Sequence, residues 1–229
     1  MKRTTLCKDR EQAALALSRH LIAVLRNALS ERGQASLVVS GGTSPVRLFE
    51  LLRQEPLDWK NVSVLSSDER LVPSNSPERN ERMICEKLLT ERASAATLVS
   101  LVSDHNDPAA CEAFANSNLE KLSRPFDAVV LGMGEDGHTA SLFPDAPDLS
   151  TALTSSRQCL VQTVPSQERI RISLTPKALL NTRELNLLVF GDSKYSVLEA
   201  ANGPGDISEF PVRIALHQDQ VPVTTYWAP

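Results

Sequence analysis

The sequence predicts an α/β fold in which a mostly parallel sheet is covered by helices on both faces. Stretches with helical periodicity alternate with short apolar runs along the whole chain, and this pattern is typical of parallel strands joined by helical crossovers. Four of the apolar runs also end in clusters of glycine, hydroxyl or charged residues. The 229 residues contain no internal repeat and no linker-like stretch. We therefore expect a single domain over residues 1–229.

The first helix is predicted over residues 10–31. Leucines recur every four residues from Leu17 to Leu29, and Gly33 supplies a stop.

Ser44 and Pro45 have the residue types of an N-cap and a first helical position, which predicts a helix that ends near Arg53. Ser76 and Pro77 repeat this arrangement ahead of a helix at 78–89. The other predicted strands lie at 37–39, 62–65, 97–102, 126–131, 159–164, 170–174, 185–190, 212–216 and 223–227, and the other helices at 108–122, 176–180 and 193–201.

Composition excludes several classes of protein. The net charge of −4 argues against nucleic acid as a partner, because binding to a phosphate backbone needs a concentrated basic surface. No apolar stretch approaches the roughly 20 residues that span a bilayer, and no signal-peptide core follows the first residues. We expect a cytoplasmic protein that binds no membrane and is a monomer or weak homodimer. Its four cysteines are widely spaced, so we expect reduced, buried thiols at Cys7, Cys85, Cys111 and Cys159.

The most informative stretch is 131–144, which reads LGMGEDGHTASLFP. It begins where an apolar run ends, and its glycines allow a sharp turn beyond the strand. In open α/β sheets, ligands bind outside the carboxyl ends of the strands. His138 is therefore expected in an active site, with Asp136 two residues away to orient it. The alternative is a glycine-rich connection that carries a solvated histidine.

Three other strand ends have the same character: SGGTSP at 40–45, SSDER at 66–70 and GDSK at 191–194. The first places backbone N–H groups and hydroxyls at a helix amino end, which favours an anion such as phosphate. It matches neither a Walker loop nor a dinucleotide motif. Arg171 and Lys194 would add positive charge, if the fold brings them together.

These segments resemble the 6-phosphogluconolactonases, within the wider superfamily of glucosamine-6-phosphate isomerases and deaminases. The resemblance covers roughly residues 9–201, and its anchors are SGGTSP, DERLVP at 68–73, GHTASLFP at 137–144, RISLT at 171–175 and the turn at 191–194. It implies a Rossmann-like α/β sandwich. It also implies hydrolysis of 6-phospho-D-glucono-1,5-lactone to 6-phosphogluconate, in the pentose phosphate pathway, without a cofactor. The expected ligand is thus a phosphorylated sugar lactone.

Roles can be carried over position by position. His138 matches the catalytic base and Arg70 the catalytic arginine, while Asp68 and Asp136 match acidic positions of the site. We group Asp136 with the catalytic residues and Asp68 with the substrate-binding ones. The other expected substrate-binding residues are Gly41, Gly42, Thr43, Arg171 and Lys194. One departure is Arg79, which stands where related chains often carry serine, and the tail after Asn202 is only weakly similar.

The residue types suit direct attack of water on a lactone, which is an activated ester. A histidine can take the proton of the water near neutral pH, and a guanidinium or backbone donors can stabilise the oxyanion. No serine occupies a nucleophile elbow, and no cysteine neighbours His138. No ligand spacing demands a metal, and we expect His20, His105 and His217 to be structural or solvated.

The residues also leave two alternative functions open. A glucosamine-6-phosphate deaminase-like isomerase would share the sugar-phosphate site, and the resemblance indicates that this branch carries a carboxylate just before the proline of the histidine loop. Phe143 stands there, and a phenyl ring cannot act as an acid or a base. A non-catalytic sugar-phosphate-binding protein would keep the phosphate loop without needing His138 and Arg70.

Overall fold

A computed structural model describes residues 2–167 and 169–229. The strands are β1 Lys2–Leu6, β2 Ala35–Val39, β3 Val62–Ser66, β4 Asp68–Arg70, β5 Thr97–Leu98, β6 Ala128–Leu131, β7 Cys159–Val164, β8 Arg169–Leu174, β9 Leu185–Phe190 and β10 Val223–Ala228. The helices are α1 Arg10–Arg32, α2 Val46–Leu52, α3 Asn80–Lys87, α4 Pro108–Glu120, α5 Leu149–Thr154, α6 Pro176–Leu179, α7 Asp192–Asn202 and α8 Arg213–Leu216. Three short 3₁₀ turns connect them at Trp59–Asn61, Glu91–Ala95 and Pro165–Gln167.

Seven of these strands form one sheet in the order β1-β10-β9-β6-β2-β3-β5, and every pairing is parallel. Alternate residues of the central strands belong to two different hydrophobic clusters. Val129 packs with α4, α7 and α8, whereas Val130 packs with α1, α2 and α3. Successive side chains of a strand point to opposite faces, so helices cover both faces of the sheet. The predicted α/β class and parallel sheet are confirmed.

A second, three-stranded antiparallel sheet runs in the order β4-β8-β7. The strands at 159–164 and near 170–174 were predicted, but their separation from the main sheet was not. Residues 68–70 were predicted as a polar loop and instead form β4, whose Arg70 lies opposite Arg171 of β8. This small sheet therefore carries two arginines side by side next to the end of β3.

The predicted amino-terminal caps of α2 and α3 were wrong. α2 begins at Val46 after Pro45, without a side-chain cap from Ser44. α3 begins only at Asn80, and Ser76 accepts a hydrogen bond from the Glu78 amide within a preceding turn. By contrast, α1 ends at Gly33 as predicted: this residue has φ 69°, and its N–H donates to the Leu29 carbonyl.

The segment 212–216 was predicted as a strand and is instead the helix α8. Its apolar run is too short for periodicity to separate the two structures. The buried Arg213 guanidinium favours the helical turn, because it donates to the carbonyls of Pro204 and Asp206 and to the Glu209 carboxylate. The amino-terminal strand β1 was not predicted, since all five of its residues are exposed.

Three of the four cysteine thiols are buried as expected, but Cys85 is exposed, which contradicts the prediction for that residue. Cys85 lies within α3, next to Ile84 of the buried core cluster, but its own side chain is exposed. No helix within residues 2–167 and 169–229 combines the length and the apolar character needed to cross a membrane.

Candidate active site

A cavity of about 270 Å³ lies at the carboxyl edge of the main sheet. Residues that follow β2, β3, β6 and β9 meet there, because these strands are neighbours and run parallel. The lining residues are Ser40, Gly41, Gly42, Thr43, Ser44, Asp68, Arg70, Asn80, Gly132, Met133, Gly134, His138, Ala140, Arg171 and Lys194. Every site residue named from the sequence lines this cavity except Asp136, which contacts it through His138.

The imidazole of His138 is held by the loop that follows β6. Its Nδ1 lies 2.6 Å from Oδ1 of Asp136, and the His138 amide donates to the same oxygen at 3.1 Å. Gly134 makes room for the ring, because a Cβ at that position would lie 2.2 Å from Nδ1 of His138. Gly137 completes the turn with φ 76°. Burial alone would raise the pKa of Asp136, but the hydrogen bond and charge of His138 outweigh burial and lower that pKa.

Asn80 holds the guanidinium of Arg70, which lines the same cavity as His138. Nη1 of Arg70 donates to the Glu78 carbonyl at 2.8 Å and to Oδ1 of Asn80 at 2.5 Å, and Nδ2 of Asn80 donates to the Asp68 carbonyl at 2.8 Å. Asn80 also packs directly on Gly41, where a Cβ would lie 2.0 Å from its Oδ1. Asn80 thus links the glycine loop to β4. Sequence reasoning did not assign it to the site.

A fully buried carboxylate, Glu69, forms the amino-terminal cap of α3. It accepts hydrogen bonds from the backbone amides of Asn80 at 2.9 Å, Glu81 at 2.7 Å and Arg70 at 2.7 Å. Burial raises the pKa of Glu69 to about 7, although the three amides act in the opposite direction. Nε of the buried Arg79 lies 3.4 Å from Glu69, and its Nη2 lies 2.8 Å from Glu81. Arg79, which stands where related chains often carry serine, therefore contacts two carboxyl groups at the start of α3.

Asp68 of β4 and Arg171 of β8 lie on neighbouring strands of the small sheet, and both line the cavity. Oδ2 of Asp68 accepts a hydrogen bond from the Ser141 hydroxyl at 2.5 Å and lies 3.6 Å from Nη1 of Arg171. Nη2 of Arg171 donates to Oε1 of Gln167 at 3.1 Å. Burial lowers the pKa of Arg171, and the nearby Asp68 carboxylate opposes this effect. The cavity therefore contains a partly desolvated guanidinium.

Lys194 and Arg171, whose proximity the sequence left open, line the same cavity. Lys194 lies in the first turn of α7, directly after Ser193. The Ser193 hydroxyl donates to Oε1 of Glu135 at 3.0 Å, so the beginning of α7 is joined to the histidine loop. The cavity thus combines one imidazole with three cationic side chains and the glycine loop at 41–43.

The other histidines lie outside this arrangement. Nε2 of His20 is 2.8 Å from Glu184, a contact that raises the His20 pKa, and His217 is exposed. His105 lies 3.9 Å from Asp104. Within the described part of the chain, no three His, Cys, Asp or Glu side chains converge closely enough to hold a metal ion.

The chain is similar in sequence to proteins of one known family. The family model described as glucosamine-6-phosphate isomerases/6-phosphogluconolactonase matches residues 8–227. The chain belongs to this family. It is 40% identical to the 6-phosphogluconolactonase of Pseudomonas putida over 223 residues, which are 96% of this chain and 90% of that protein. It is 39% identical to the 6-phosphogluconolactonase of Pseudomonas aeruginosa, covering 95% of this chain and 91% of the other.

Solved structures agree with this assignment. A crystal structure of a 6-phosphogluconolactonase from Shewanella baltica superposes with a TM-score of 0.97 at 36% identity, covering 100% of this chain and 98% of that one. A monomeric glucosamine-6-phosphate deaminase superposes with a TM-score of 0.79 at 17% identity, covering 97% and 96%. The second similarity shows a shared fold alone.

Proposed function

We propose that this protein hydrolyses 6-phospho-D-glucono-1,5-lactone to 6-phospho-D-gluconate in the oxidative pentose phosphate pathway. The observation that carries the proposal is one cavity lined both by an imidazole in contact with Asp136 and by three cationic side chains, those of Arg70, Arg171 and Lys194. An anionic substrate with a carbonyl to be attacked matches this combination. The 40% identity to a lactonase over 96% of the chain supports the same substrate.

The phosphate group is proposed to bind Arg171, Lys194 and the loop at 41–43. Both cations line the cavity, and the backbone N–H groups and the Thr43 hydroxyl of the loop are suitable donors to phosphate oxygens. Arg171 is pre-positioned, since its buried guanidinium is already held by Asp68 and Gln167. Little side-chain freedom is then lost when the anion binds.

The chemical step is proposed as direct attack by water on the lactone carbonyl. Nδ1 of His138 contacts Asp136, which leaves Nε2 to accept the proton as the water oxygen bonds to C1. The carbonyl electron pair moves onto its oxygen, where the Arg70 guanidinium stabilises the negative charge. The intermediate then expels the ring oxygen, the bond between C1 and that oxygen breaks, and the imidazolium returns its proton to the departing oxygen. The proposed reaction forms no covalent enzyme intermediate and uses no cofactor.

The deaminase alternative has less support, because the resemblance implies that chains of that branch commonly carry a carboxylate just before the proline that is Pro144 here. Phe143 occupies that position and is 2% exposed. A buried phenyl ring offers no exchangeable proton. The purely binding alternative does not account for the contact between His138 and Asp136 within the cavity.

The test is hydrolysis of freshly prepared 6-phosphogluconolactone, with the spontaneous rate subtracted. His138→Ala should lower kcat by roughly 10²–10⁴-fold, as expected for loss of a general base, with a smaller change in product affinity. His217→Ala, at an exposed histidine outside the cavity, is the matched control and should retain the wild-type rate.

The alternatives predict different results. Wild-type protein that does not exceed the spontaneous rate but binds 6-phosphogluconate would indicate a binding protein. Release of ammonia from glucosamine-6-phosphate would indicate the deaminase. A folded His138→Ala variant with near-wild-type kcat would leave the lactonase proposal intact but move the role of base to a carboxylate such as Asp68 or Asp136.

A further inference from the structure

The phenyl ring of Phe143 stacks on the imidazole of His138. The ring centroids are 3.9 Å apart and the ring planes differ by 22°. Phe143 is 2% exposed and belongs to the same hydrophobic cluster as Leu131 and Leu142, so its ring is held from behind by the core. The imidazole therefore rests on a rigid apolar surface.

The other contacts of His138 do not by themselves fix the plane of its ring. The hydrogen bond to Asp136 constrains Nδ1, and Gly134 leaves space for the imidazole. The last torsion of a histidine side chain has broad, roughly two-fold preferences, so tilting of the ring about it is soft. A stacked neighbour at 3.9 Å opposes such tilting, because the imidazole would collide with the phenyl face. The direction of Nε2 thus depends on the stack as well as on Asp136.

We propose that Phe143 is a positioning residue for the reaction, which keeps Nε2 of His138 directed at the attacking water. The inference rests on the function proposed above and deepens it, since Phe143 takes no proton and acts only through His138. The same ring also lies 5.3 Å from Cζ of Arg171, within the range of a cation–π contact. One buried ring thereby supports both the base and a cation of the cavity.

Phe143→Leu tests the proposal, because it keeps an apolar side chain but removes the flat face. It should lower kcat roughly 10- to 100-fold, in line with the cost of misplacing a reacting group by about 1 Å. Phe126→Leu is the matched control: Phe126 is also fully buried but precedes β6, at the opposite end of that strand from His138. It should lose comparable thermal stability and retain kcat. If Phe143→Leu does not fold, Phe143→Met supplies a flexible apolar replacement for the same measurement.

Two further readouts separate positioning from a general loss of packing. In a His138→Ala background, Phe143→Leu should lower kcat no further, since the group that it positions is already absent. In NMR spectra, the imidazole carbon-bound protons of His138, assigned by their disappearance in His138→Ala, should be shifted upfield by the phenyl ring current. This shift should be lost in Phe143→Leu and kept in Phe126→Leu.

Equal kcat values in the two leucine variants, or an equal further loss of kcat in the His138→Ala background, would overturn the positioning role. Unshifted imidazole resonances in the wild type would also overturn it. A wild-type protein without lactonase activity would instead reject the function proposed above, and the NMR comparison would then decide separately whether Phe143 holds the imidazole.

Discussion

Oδ1 of Asp136 lies 2.6 Å from Nδ1 of His138 and 3.1 Å from the backbone nitrogen of the same residue. One carboxylate oxygen thus contacts both the side chain and the main chain of the proposed base. An ionised carboxylate only accepts hydrogen bonds, so the pair holds a proton on Nδ1 and leaves Nε2 as the acceptor. The contact therefore selects the tautomer that the proposed reaction needs.

Asp136→Asn should lower kcat by up to about 10⁴-fold, the loss expected when a carboxylate that sets the tautomer of a catalytic histidine becomes an amide. The asparagine amide can donate to Nδ1 and so favour the tautomer in which Nε2 carries the proton. Steady-state kinetics on the phosphorylated lactone measure the effect. Asp148→Asn, at an exposed aspartate with no side-chain cap hydrogen bond, is the control and should leave kcat unchanged. A wild-type kcat in Asp136→Asn would show that the contact does not select the tautomer.

Lys194→Ala should raise KM roughly 10- to 100-fold and change kcat less, because a contact to phosphate exists in both ground and transition states. The penalty should disappear with unphosphorylated gluconolactone, which should itself be a very poor substrate. Lys177→Ala, in α6 and outside the cavity, controls for the loss of a surface charge. Comparable kcat/KM for the two lactones in the wild type would show that the protein does not recognise the phosphate group.

Glu69→Gln should lower the free energy of unfolding by about 1–3 kcal/mol, because an amide nitrogen cannot accept the backbone hydrogen bonds that the carboxylate receives. Burial raises the pKa of Glu69 from 4.5 to about 7. At pH values between 4.5 and about 7, the Glu69 carboxyl is protonated in the folded protein but ionised in the unfolded chain. The contribution of Glu69 to stability therefore falls as the pH rises through this range.

Urea unfolding at pH 5 and pH 8 measures this dependence. The advantage of the wild type over Glu69→Gln should be larger at pH 5 than at pH 8, and Glu50→Gln, in α2 and partly exposed, serves as a surface control. An advantage that grows with pH would mean that Glu69 is ionised throughout and that the three backbone amides, with Arg79, outweigh its burial.

Patterns within a few residues of one another were sufficient to predict the fold and the location of the cavity. Apolar runs followed by polar clusters identified the ends of β2, β6 and β9, and parallel strands necessarily bring these ends to one edge. His138 and Lys194 were found in this way, although they are far apart in the chain. The roles assigned to them remain proposals for the experiments above.

Features that depend on packing between distant segments were not predictable. The cap of α3 comes from Glu69 in β4 rather than from a residue at the helix start, so the local sequence of Ser76 and Pro77 was misleading. The contacts of Asn80 with Arg70 and of Phe143 with His138 form only in the folded chain. The second sheet was missed for the same reason, since an alternating run does not show which strand it will join.

The pairing of β1 with β10 joins opposite ends of the chain, with Lys2 opposite Val223 and Leu6 opposite Trp227. Because β1 precedes β10 in the chain, a ribosome releases β1 long before the strand that provides its backbone partners exists. The exposed β1 must therefore remain unpaired during most of synthesis, while the inner strands β2, β3 and β6 already have one another as neighbours. We expect the central part of the sheet to assemble first during translation, and the edge formed by β10 and β1 to be completed last.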